Sequence, residues 1–143
     1  MKLREVIASA RAKPAGVVAI AVAAGSLAIL NLLYLALTSV GNFPLSSGAF
    51  LWGAGLETYG PAIFLIGAVL YARVAWGMWR LTWWSRYFAV AVAAMGIYLL
   101  VPGISAAVID LRPLAIGTNG VQITLRVMAI WYLLQPSTRE AFR

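Results

Sequence analysis

Few residues in this chain could do chemistry, and Arg126 is the sharpest of them. It lies near the middle of a long apolar run, about nine residues or ~13 Å from either end at 1.5 Å per residue. Asn119 and Gln122 precede it at helical spacing. A guanidinium at such depth is costly unless it faces protein, water or an anion. Asn31, Tyr34 and Thr38 form a second polar stripe in an earlier apolar run. If the two runs are antiparallel helices, Asn31 lies level with Arg126, Tyr34 with Gln122 and Thr38 with Asn119. The two helices are then expected to face each other across an intramembrane polar seam, with hydrogen bonds worth about 0.6–2 kcal/mol each. The alternative chemistry for the same residues is a polar, anion-preferring path around Arg126.

Only two acids lie near the apolar runs, Glu57 and Asp110, and both map to the outer ends of runs rather than to their middles. Glu57 begins a run, where a helix dipole favours a carboxylate; Asp110 can pair with Arg112. The chain has no histidine and no cysteine. Haem therefore lacks its usual axial ligand, and iron–sulfur clusters and thiolate zinc sites have no ligands at all. No cofactor or metal is expected, although lipid is. Without histidine no standard hydrolytic triad forms, and no glycine-rich phosphate loop precedes a helix. The chain is expected not to be an enzyme.

The elements that position these residues are spanning helices. Hydrophobic residues make up 63% of the 143 and charged residues 10%, against roughly a quarter charged in soluble proteins. A spanning helix takes about 20 apolar residues, so the chain has room for four and little else. The expected fold is all-α: one domain, an integral membrane bundle of four transmembrane helices at about 15–40, 57–79, 87–109 and 116–135. Residues 1–13 read as a short interfacial helix or as a basic end. Residues 41–56 read as an outer loop or a shallow half-helix. Pro102-Gly103 is expected to break or kink the third span, and the residues after Pro136 to form a short basic tail.

Residues 71–88 hold the chain's depth and direction. Four of the six tryptophans (Trp76, Trp79, Trp83 and Trp84) fall there with Arg73, Arg80 and Arg86. Tryptophan collects at the membrane interface, and arginine in short loops marks the cytoplasmic side. The stretch reads as a cytoplasmic elbow whose residues are interface anchors, with Arg73 able to snorkel or to stack on Trp83 or Trp84. Lys2, Arg4, Arg11, Lys13, Arg80, Arg86, Arg139 and Arg143 fall on the elbow's side, and Arg112 alone on the other. Both termini are accordingly expected in the cytoplasm. The net charge of +7 is explained by this placement and by anionic lipid, so nucleic acid is not expected.

From residue 72 to 142 the order of features resembles a known pattern. A Trp-Arg-rich elbow, a third span and an outer turn lead to a last span closing as Trp131-Tyr-Leu-Leu-Gln-Pro-Ser-Thr-Arg-Glu-Ala-Phe142. This resembles small uncharacterised four-helix bacterial inner-membrane proteins, in which a Tyr-Leu-x-x-Pro tail is common. The resemblance implies the architecture and a bacterial inner (cytoplasmic) membrane, and carries no activity or binding residues. The function expected from all of this is that of an accessory or scaffolding subunit of a larger membrane complex, be it respiratory, photosynthetic or a transport assembly. Its partners would be membrane lipids and other subunits. The alternative is a small oligomeric transporter or channel, and a lipid-modifying enzyme would need Glu57 and Asp110 to converge.

Overall fold

The structure is a computed structural model and describes residues 13–41, 60–111 and 113–142. The expected interfacial helix before Lys13, nearly all of the expected loop at 41–56, Glu57 and Arg112 lie outside the described residues. Among the described residues the chain is all helical: α1 (Ala15–Ser39), α2 (Ala62–Arg80), α3 (Trp83–Ile109), α4 (Pro113–Leu134) and the short α5 (Pro136–Glu140). By length and composition α1, α2 and α3 can cross a membrane, which marks the chain as a membrane protein. At 22 residues α4 is long enough, but Asn119, Gln122 and Arg126 make it less apolar than the other three.

Small residues decide how the helices pair. The buried face of α1 is Val17, Ala21, Ala24, Ala28 and Asn31, and that of α2 includes Phe64, Ala68, Tyr71, Val74 and Met78. Both advance by steps of four and three, the spacing of helices that pack at a shallow left-handed angle. Helix α1 packs along α2, and α4 along α3. The two pairs are joined at the turn between α2 and α3, while α1 and α4 meet over a short contact. There the Tyr132 ring lies against Gly16, close enough that a methyl group at that position would displace it.

The turn after α2 closes in two residues. The Leu81 N–H donates to the Met78 carbonyl and the Thr82 N–H to the Gly77 carbonyl, both at 3.2 Å. That pair of bonds is a Schellman closure, which needs a left-handed residue after the helix. Leucine supplies it here, with φ 55° at Leu81. Just past α3 Leu111 is likewise left-handed, at φ 53°, and at the end of α1 it is Gly41, at φ 76°. Left-handed backbone is unfavourable for a residue with a Cβ. Leu111 is 83% exposed, so its side chain adds little packing in return. Leu111→Gly is therefore expected to stabilise the protein by about 0.5–1 kcal/mol, the strain relief less the added unfolded-state entropy, read as a rise in thermal midpoint in detergent.

Two expectations change. Helix α3 runs unbroken through Pro102, so of the expected break or kink the break does not occur, as helices in a bundle tolerate. The residues after Pro136 are not a free tail. They form α5, with proline at its first turn, and Thr138 and Phe142 are buried in the core with Leu133.

Candidate functional site

Helix α4 carries Arg126 into the bundle, where the guanidinium turns toward α2 and α3. Nη2 donates to the Tyr71 hydroxyl at 3.5 Å, a long and weak bond. Nη1 is buried and has no hydrogen-bond partner among the described residues. The group lies against Gly96, where an added Cβ would fall 2.6 Å from Nη1 and 2.7 Å from Cζ. Glycine at 96 is thus what lets a planar cation lie flat on α3. A buried guanidinium nitrogen without an acceptor is rare enough to require a reason.

The other seam residues are placed as follows. Asn31 is fully buried, and its amide donates to the Leu27 carbonyl at 2.8 Å. The Thr38 hydroxyl donates to the Tyr34 carbonyl at 2.8 Å, and the Tyr34 ring stacks on Phe64 of α2 at 5.7 Å. Asn119 is buried and Gln122 half-buried on α4. The stripe on α1 thus bonds in part to its own backbone, and Arg126 finds its neighbours on α2 and α3. Tyr71 and Gly96 are the neighbours of Arg126 that reading the sequence for polar stripes did not find. Glycine has no polar group to mark it, and Tyr71 was only the first residue of the elbow stretch.

At the elbow, cations and aromatic rings pair. Arg73 lies over Trp84 at 5.4 Å, Arg80 over Trp76 at 4.5 Å and the Lys13 ammonium over Trp79 at 4.1 Å. The last contact ties the start of α1 to the end of α2. Trp76, Trp79 and Trp83 remain exposed, and Trp84 meets Phe88 edge-on at 5.9 Å. Arg86 differs from an exposed anchor. It is 6% exposed, stacks at 4.8 Å on Tyr87, donates from Nη2 to the Tyr87 hydroxyl at 3.4 Å, and leaves Nε without a partner among the described residues. The reason is helical phase. Arg86 lies three residues before the buried Ala89 and so shares its inward face of α3.

Above the elbow, α1 and α2 form an open apolar groove of about 450 Å³. Ala21, Gly25, Ala68, Ala72 and Ala75 floor it, and Trp76 and Trp79 stand at its elbow end. Asp110, the remaining described site residue, is exposed at the end of α3. No protein-family model, curated protein or solved structure matches the chain.

Proposed function

We propose that this protein is an accessory or scaffolding subunit of a larger membrane complex, working through its outer surface by helix packing and lipid contact. The observation that carries the reading is the groove between α1 and α2. Small residues on two adjacent helices remove bulk from the bundle's surface, which is how membrane interfaces allow close approach where no hydrophobic driving force exists. In this reading α4 is a fourth span, crossing with its polar face turned inward. Both termini and the elbow lie in the cytoplasm of a bacterial inner membrane, in line with eight basic residues on one side against one on the other.

The test is gentle extraction of the tagged protein from native membranes, followed by size-exclusion chromatography and mass spectrometry of co-eluting chains. A stoichiometric assembly is expected. A partner-free monomer or homo-oligomer would sink the subunit reading.

The buried Nη1 of Arg126 favours one second reading, a small oligomeric transporter or channel for anions. There Arg126→Leu, reconstituted in vesicles, would abolish anion flux in a protein that still folds. A subunit carrying the same change would keep assembling.

A further inference from the structure

The elbow end of the α1–α2 groove combines two features that need not coincide. The groove is apolar along its length, with Trp76 and Trp79 closing one end. Over those same two rings sit Arg80, at 4.5 Å from Trp76, and Lys13, at 4.1 Å from Trp79. Stacking on indole faces holds both cationic heads at the groove's mouth. Among the described residues neither makes an ion pair.

We propose that this groove holds one acyl chain of an anionic phospholipid, with Lys13 and Arg80 reaching its headgroup phosphate. The inference rests on the surface role proposed above and names the occupant of that surface. An acyl chain is thin and conformable and suits a shallow groove floored by alanine and glycine. A phosphate at the interface is the complement of two adjacent cations. The tryptophans would then serve both parts of the lipid: their ring edges wall the first carbons of the chain, and their faces hold the cations. A partner helix would fill the apolar length equally well, but it would have to bring its own acids to the mouth. Charge therefore favours lipid.

The test uses the full chain purified in mild detergent. Native mass spectrometry would compare retention of phosphatidylglycerol with that of phosphatidylcholine carrying the same chains. One phosphatidylglycerol per protein is expected, retained on the order of tenfold more tightly than phosphatidylcholine. Two variants separate the headgroup from the chain. Lys13→Gln with Arg80→Gln removes the preference between the two lipids. Ala72→Phe, at an exposed position on the groove floor, reduces retention of both. Circular dichroism and the thermal midpoint check that each variant is folded.

Equal retention of both lipids by the wild-type protein would overturn the proposal. So would phosphatidylglycerol retention unchanged by Ala72→Phe. If Ala72→Phe instead releases a stoichiometric partner chain and leaves lipid retention untouched, the groove belongs to a helix. In that case the lipid assignment falls and the subunit reading stands. A partner-free protein that holds phosphatidylglycerol as described gives the reverse result.

Discussion

Gly77→Val is expected to unseat the α2–α3 elbow and lower stability by at least about 2–3 kcal/mol. A Cβ at this position would lie 2.5 Å from the Ser85 Cβ and 3.2 Å from the Trp84 ring. Neither neighbour can swing aside easily. Ser85 is fully buried, and its hydroxyl donates to the Thr82 carbonyl at 2.6 Å. The Gly77 carbonyl also accepts from the Thr82 N–H at 3.2 Å and from the Thr82 hydroxyl at 3.3 Å. Moving the backbone at 77 to make room would break both bonds, and with them the closure that leaves only two residues between α2 and α3. Gly117→Ala is the matched control, because nothing lies within 4 Å of an added Cβ there. Helix propensity alone makes that change neutral or favourable by up to about 1 kcal/mol. Thermal unfolding of the three proteins in one detergent decides the matter. Equal midpoints for Gly77→Val and wild type would mean that the crossing is not the tight one described.

Arg126→Leu is expected to raise stability by about 1–3 kcal/mol, the opposite of most buried substitutions. The guanidinium gains one long hydrogen bond, to Tyr71. It leaves Nη1 buried without a partner among the described residues, and the chain's few acids are not on α4. Leucine removes the desolvated charge and still fills part of its space. A higher midpoint for Arg126→Leu, measured beside wild type, is the result that fits. A large loss of stability would show that Nη1 is matched by an anion that stays with the protein through purification.

Apolar runs in the sequence located the helices well, because length and hydropathy are one-dimensional properties. The ends were harder. The third helix was expected from residue 87 and starts at Trp83. Trp83 and Trp84 fall between the two expected spans, and a Schellman closure built on leucine gives no glycine to mark it. The fourth was expected from 116 and starts at Pro113, where a missing N–H does no harm. Pairing was the least legible. Helix α1 is apolar almost all round, and in lipid apolarity does not choose a partner. The depth of Arg126 could be counted along the chain, but a long side chain reaches other helices. Its contact with Gly96 exists only once α3 and α4 are packed. Arg86 illustrates the same limit. Its burial depends on the rotational phase of α3, and that phase was not available until the helix start was known.

The two-residue connection at Leu81 and Thr82 also bears on biosynthesis. With no slack between them, α2 and α3 cannot be handed to the bilayer one after the other as independent segments. Once Arg80 has emerged, the chain must already be reversing. The insertion machinery therefore has to accommodate the pair together, as a preformed hairpin. Reporter fusions or protease sites placed in this turn would disrupt the pair they were meant to locate, so topology mapping belongs at the chain's ends.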